Sequence, residues 1–393
     1  MITLSQSPTD PDFVQDPYRF YERARADGPL FFWQDYSLVC ATSAATVGTI
    51  LRDRRFGREV PAEQVRPTPK HLCPFYAVES HSMLELEAPR HTRLRALVLR
   101  AFTSRRIAGL APEIDALCHD LIGGFPGGSF DLLAHFARKV PVIIIARLLG
   151  VPEDRGDDLL KWSNAMVGMY QAGRTRQHED RAADAAAAFA SFMRSYVEER
   201  RAKPADDLIT HLIQAEMDSE KLSTDELIST CILLLNAGHE ATVHTIGNGV
   251  KALIENDFTY HATQKNTIAG TVEEILRHDP PLHLFTRFAY EDIDIAGHRF
   301  KRGDRVGCLL AAANRDPQNW DEPARFNPCR PIKPHFAFGV GTHFCVGAPL
   351  ARLELQIALP ILFQRFPNLH MTTPPRYADL YHFHGLENLM VRA

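Results

Sequence analysis

The stretch Phe338-Gly-Val-Gly-Thr-His-Phe-Cys-Val-Gly-Ala-Pro-Leu-Ala-Arg352 decides how the rest of the chain is read. Gly339, Gly341 and Gly347 let a backbone turn tightly or approach a flat partner, because glycine tolerates positive φ and carries no side chain to clash. Cys345 stands just before a helix that Pro349 can open as a first-turn residue. A sulfur there feels the positive end of the helix dipole and can accept backbone N–H bonds, both of which favour thiolate. The segment therefore reads as a thiolate presented from a glycine-lined loop. The plain alternative, a structural Cys buried in a Gly-rich turn, is the reading given to the other six cysteines. The loop is not a phosphate cradle of the GxGxxG type, since the Gly after Gly341 is Gly347.

Outward from this loop, the composition bounds the answer. With 393 residues, 45% hydrophobic and 23% charged, the chain can bury a large core and excludes a disordered protein. Forty-four Lys and Arg against 48 Asp and Glu exclude a protein built to coat nucleic acid. Seven cysteines, an odd number without a CxxC, match neither a disulfide framework nor a zinc site and suit a reducing compartment. No basic leader precedes an apolar run at the N-terminus, and no stretch reaches the ~18 apolar residues of a membrane span, so a cytoplasmic protein without membrane association is expected.

Without repeats or Gly/Ser linkers, residues 1–393 read as a single domain. Apolar residues at three and four spacing predict helices over 17–26, 90–102, 107–122, 130–149, 176–203, 222–254, 266–278 and 349–366. Short strands are predicted within 28–41, 287–310 and 368–392, giving a mainly α fold with a minor β component. Segments 57–85 and 315–347 are long, irregular and rich in Pro, Gly, His and Arg, and loops of that length usually carry function.

The pattern FGxGxHxCxGxxLAR, filled by Phe338, Gly339, Gly341, His343, Cys345, Gly347, Leu350, Ala351 and Arg352, resembles the haem-binding signature of the cytochrome P450 family. The resemblance spans His91 to Gly385. It implies a fold in which a long central helix and a proximal cysteine loop enclose haem b, with Cys345 as the axial iron ligand. A thiolate there pushes electron density onto the iron.

Other segments fit. Glu274 and Arg277 share a helix face and resemble the family's ExxR pair, whose partner is an Arg in a PxRF-like segment; Arg325 is the first candidate and Arg330 the second. Alone, the pair would read as an exposed i,i+3 ion pair. His91 and Arg95, four apart, could jointly grip an anion. In the family, residues matching His91, Arg95, Arg287 and His343 hold the haem carboxylates. The remaining arginines of the run, Arg90, Arg93, Arg100, Arg105 and Arg106, would form a solvated face or a basic patch suited to an acidic electron donor.

Asn236-Ala-Gly-His-Glu-Ala-Thr-Val-His244 is not a zinc-protease motif, because His239 and His244 are five apart, ~140° around a helix. It resembles the family's AGxET oxygen-activation motif, in which Gly238 opens a groove for dioxygen and Glu240 feeds protons. This chain departs from it at Ala241, where the family usually has Thr. Thr242 follows one residue later, rotated about 100°.

By analogy the substrate pocket draws on residues 60–85, 166–170, 235–241, 282–285 and 383–386, including Phe75, Tyr76, Met83, Leu84, Met166, Met169 and Phe285, each of which could equally be core. Such a lining favours a hydrophobic small molecule. The resemblance implies a monomeric haem-thiolate monooxygenase that hydroxylates or epoxidises it, using O2 and two electrons from NAD(P)H passed through a separate ferredoxin or flavodoxin and its reductase. A peroxide-using or rearranging enzyme is the second reading, suggested by Ala241. A haem sensor or carrier is the third, opposed by Glu240, since a carrier needs no proton donor.

Overall fold

Helices carry the architecture, and the longest, Thr224–Glu255, is its axis. The computed structural model describes residues 1–217, 220–379 and 381–393. The axis helix starts two residues later than the periodicity suggests because Ser223 and Glu226 form a reciprocal cap: Ser223 Oγ accepts from the Glu226 amide and the Glu226 carboxylate accepts from the Ser223 amide. Around it pack Lys139–Leu149, Arg176–Ala202, Ile268–His278 and Ala348–Arg365. Gly249 allows the closest of these crossings, since a Cβ there would lie 2.9 Å from Ile275.

The sheet component is minor, as expected. Six strands run in the order Thr3–Leu4, Leu30–Trp33, Leu38–Ala41, Arg305–Leu309, Leu284–Ala289, Phe56–Gly57. In the antiparallel pair Leu284–Ala289 and Arg305–Leu309, Phe285 faces Cys308 and Arg287 faces Val306. The C-terminal tail contributes His370–Met371 and Met390–Arg392, with Leu380 outside the described residues.

Two expected helices are interrupted. The 130–149 segment opens as strand Ser129–Asp131, with Phe130 opposite Val391. It continues through a wide turn in which the Arg138 N–H reaches back five residues to the Leu133 carbonyl, and only then becomes the helix Lys139–Leu149. The Asp131 carboxylate accepts from the amides of both Leu133 and Leu389, so the distant tail claims this residue for the sheet. The 107–122 segment breaks into Ser104–Gly109 and Ala111–Gly123, because Pro112 has no N–H to continue the ladder. Within the irregular 57–85 stretch a short helix, Cys73–Glu79, forms. Among the described residues no helix is long and apolar enough to cross a membrane.

Candidate active site

The cysteine loop is shaped by its own backbone. The Cys345 amide donates to the Phe338 carbonyl at 3.0 Å, the Phe344 amide to Gly341 at 3.0 Å, and the Gly339 amide to Phe336 at 2.8 Å. Gly339 and Gly341 both hold φ in the left-handed region, +63° and +79°, and a Cβ on Gly341 would strike the Leu51 carbonyl. Helix Ala348–Arg365 follows, with Gly347 as its cap residue and Pro349 in its first turn. Burial pushes the Cys345 thiol up, while the amides of Gly347 and Ala348 and the charges of Arg95 and Arg352 pull it down. The net shift is upward, so burial outweighs the backbone donors and the nearby charges.

Two ion clusters bolt the loop to Ile268–His278. Glu273 accepts from Arg352 at 2.6 and 2.9 Å and from His335 at 3.1 Å; burial notwithstanding, these partners hold its carboxyl down at about 2. The Arg352 guanidinium also covers the Phe338 ring at 4.7 Å. One residue on, Glu274 and Arg277 form a bidentate pair at 2.7 and 2.8 Å, with Arg277 only 1% exposed. Arg277 further donates to the carbonyls of Asn314, Pro323 and Arg325. The pair is thus buried and fully engaged, not the exposed pair that spacing alone suggests. Its third member corrects the first choice made from the sequence. Arg330 Nε reaches Glu274 at 3.3 Å, whereas the Arg325 side chain is exposed and pairs with Glu322, lending only its carbonyl.

Next to the cysteine loop lies a group of buried donors. His91 and His343 rings approach to 4.3 Å, and His343 Nε2 donates to Glu87 at 2.9 Å. Arg95 donates to the Phe344 carbonyl at 2.7 Å, next to Cys345. Phe285 would touch a Cβ on Gly339 at 3.3 Å, and Arg287, two residues along the same strand, shares its face. Arg287 is 3% exposed yet has no carboxylate partner among the described residues; its guanidinium donates to its neighbour's carbonyl, Thr286, at 2.8 Å. Burial, then the nearby Arg58, lowers it to about 10. His91, 1% exposed, leaves Nδ1 without a partner, and burial with the charges of His343 and Arg95 drops it to about 4. A buried guanidinium without an anion and an imidazole nitrogen without a partner fit a ligand carrying carboxylates, as haem b does.

The central helix supplies the opposite wall. Gly238 faces Ile145, whose Cγ1 would lie 3.1 Å from a Cβ, so the missing side chain allows a close helix crossing. His239 Nδ1 donates to Leu235 at 2.8 Å. Glu240 lies 3.5 Å from His244 Nε2; burial raises its carboxyl, but His244, His239 and Arg138 together hold it below the ordinary range. The helix runs unbroken past Ala241, and the Thr242 hydroxyl turns back towards the Gly238 carbonyl at 3.5 Å. Thr245, overlooked in the sequence, donates to the Ala241 carbonyl at 2.7 Å; its signal was the i+4 spacing from Ala241.

A polar cluster missed by sequence reading ties two of the expected pocket segments, 60–85 and 166–170, to Arg58 and to His382, just before a third. Arg58 pairs with Glu85, Tyr170 donates to Glu79 at 3.0 Å, and the His382 ring stacks on Tyr170 at 5.4 Å. Burial, then Glu85, lifts Glu79 to about 7. Phe75, Met83, Met166 and Met169 are buried and Leu84 and Phe285 are half-buried, but Tyr76 is exposed. The basic run is partly neutralised: Arg93 pairs with Glu226 and Arg106 with Asp206, while Arg90 donates to the Ser80 carbonyl.

A sequence profile described as cytochrome P450 matches residues 66–379. The biotin biosynthesis cytochrome P450 of Bacillus subtilis is 33% identical over 99% of this chain and 99% of its own length. The 6-deoxyerythronolide B hydroxylase of Saccharopolyspora erythraea is 34% identical over 94% of this chain and 93% of its own. The crystal structure of P450BioI in complex with an acyl carrier protein ligated to hexadec-9Z-enoic acid superposes with a TM-score of 0.92 at 33% identity, covering 97% of this chain and 99% of that one. With that likeness running almost end to end, the chain belongs to the cytochrome P450 family and is one of its haem b monooxygenases.

Proposed function

We propose that this protein hydroxylates or epoxidises a hydrophobic small organic molecule, drawing two electrons from NAD(P)H through a separate ferredoxin or flavodoxin and its reductase, as one catalytic domain working as a monomer. The observation that carries the reading is Arg287, a buried guanidinium with no carboxylate paired to it among the described residues, on the strand that touches the cysteine loop. In this reading Cys345 ligates the iron, His91, Arg95, Arg287 and His343 receive the carboxylates, and Phe338, Gly339 and Gly347 shape the loop against the ring. Haem, when bound, supplies the redox chemistry of oxygen activation. The chain's own part is to exclude water, orient the substrate and hand in protons. Glu240, paired with His244, is the group placed to move them, because Ala241 has no hydroxyl and that of Thr242 is turned to Gly238.

The reduced, CO-bound protein should show the red-shifted absorption of thiolate-ligated haem, and Cys345→His should abolish it. Retention of that band in the variant would move the ligand to another cysteine. Ala241 favours one rival, a peroxide-driven enzyme. Product formed with NADH, ferredoxin and reductase, but not with hydrogen peroxide alone, supports the monooxygenase; the reverse supports the rival.

A further inference from the structure

Behind the helix that carries Glu274 and Arg277 lies a second buried cluster that haem binding does not use. Asp279 caps the end of Ile268–His278, His283 precedes strand Leu284–Ala289, and His384 comes from the C-terminal turn. The His384 amide donates to the Pro281 carbonyl at 2.7 Å, and Asn248 of the central helix donates to the carbonyls of both Asp279 and His384, at 3.2 and 3.0 Å. Three distant segments are thereby held in one place.

Both imidazoles are sealed from solvent, His283 at 0% and His384 at 1% exposure, and three of their four nitrogens have no partner. His283 spends Nδ1 on the Tyr21 hydroxyl at 2.9 Å and makes no hydrogen bond through Nε2, whereas His384 makes none through either nitrogen, its Nε2 meeting Asp279 only at ion-pair distance. Buried polar atoms are matched almost everywhere in folded proteins, so three orphans in one cluster point to a missing partner. One ligating atom from each of Asp279, His283 and His384 lies within 4.8 Å of the other two. His384 Nε2 stands 3.5 Å from Asp279 Oδ1. Two donors about 2.1 Å from a tetrahedral ion are themselves roughly 3.4 Å apart.

We propose that Asp279, His283 and His384 bind a structural Zn2+ ion that pins the C-terminal turn to the core. Two imidazoles and one carboxylate suit zinc better than the all-oxygen sites of Mg2+ or Ca2+. The surrounding hydroxyls have the arrangement that metal ligands need. Tyr18 and Tyr377 donate to the two oxygens of Asp279 at 2.7 and 2.5 Å, and Tyr21 orients His283. The Tyr377 ring stacks on His384 at 3.8 Å. Two cations face the cluster, Arg315 on the Tyr18 ring and Lys251 over the Tyr377 ring. Their repulsion of a divalent ion is offset by the Asp279 carboxylate. A water or the second Asp279 oxygen completes four ligands.

The test uses tag-free, dialysed holoenzyme expressed in zinc-supplemented medium, with zinc and iron measured by plasma mass spectrometry. One zinc per haem iron is expected, falling at least fivefold in His384→Gln and in Asp279→Asn, each checked for folding by its CO-bound absorption. Independently of any variant, stripping zinc from the wild-type protein with a chelator should lower its melting temperature, and added Zn2+ should restore it. Less than one zinc per five irons in the wild-type protein, zinc retained at the wild-type level in both variants, or a melting temperature indifferent to chelator and to Zn2+ would each overturn the proposal.

Discussion

The two walls of the site are built on different terms. On the cysteine side, Glu273, Glu274, Arg277, Arg330, Arg352 and His335 are each held by at least one charged or carbonyl partner. On the central helix, Ala241 offers no hydroxyl, Thr242 is turned to its own backbone, and Glu240 touches one histidine at 3.5 Å. The contrast teaches that polar bonding is concentrated around the cysteine loop, while the central helix at Ala241 is lightly bonded. Buried polar networks fix structure only when every member is satisfied.

The largest effect should come from breaking the saturated side. Arg277→Ala leaves Glu274 buried and short of its main partner, at a cost of roughly 3–5 kcal/mol, so little haem-loaded protein should be recovered. Arg325→Ala, which removes only an exposed partner of Glu322, should stay within about 0.5 kcal/mol of wild type. Equal thermal melts for the two would erase the distinction between the buried Glu274–Arg277 pair and the exposed Arg325.

Arg287→Ala comes next. Hydrogen bonds to charged groups are worth about 1.5–3 kcal/mol, so haem transfer to an acceptor protein should quicken roughly ten- to a hundredfold. An unchanged transfer rate would remove Arg287 from the carboxylate site.

On the lightly bonded wall, Glu240→Gln should slow product formation about a hundredfold, the low end of what a positioned proton donor contributes. Ala241→Thr should keep or improve product formed per NADH on substrates without a hydroxyl. Full activity in the first and no change in the second would take this helix out of the proton path.

The smallest effect at neutral pH tests an unsatisfied group on the cysteine side. Glu354, on the helix after the cysteine, is fully buried with neither oxygen bonded, and burial lifts it to about 8. Its folded value lies above the ordinary value of about 4.3, so the folded state holds the extra proton. Stability should therefore fall as pH rises through that window, most steeply in its middle and levelling off above about pH 8. Glu354→Gln should flatten the melting temperature against pH; a slope equal to wild type would show that Glu354 does not carry it.

Much of this was legible before any coordinates. The cysteine loop is one continuous segment, so its glycines, Cys345 and Pro349 can be read in order, and the Glu274–Arg277 spacing puts both on one helix face. Helix ends were less legible where a distant partner intervenes, as Leu389 and Val391 do at Phe130 and Asp131. The Arg58–Glu85, Glu79–Tyr170 and His382 cluster gave no signal, because its members come from four separate segments.

What the sequence by itself determined is whatever periodicity, caps and contiguous motifs encode: the helical class, the central helix, the thiolate loop and the missing hydroxyl at Ala241. Tertiary structure alone decided which arginine completes the Glu274 pair, that Arg287 lacks an anion, that Gly238 packs on Ile145, and that Asp279, His283 and His384 share one buried volume. The physical reason is range. Local order follows from neighbours three or four residues apart, whereas burial and charge pairing depend on which distant segments exclude water together.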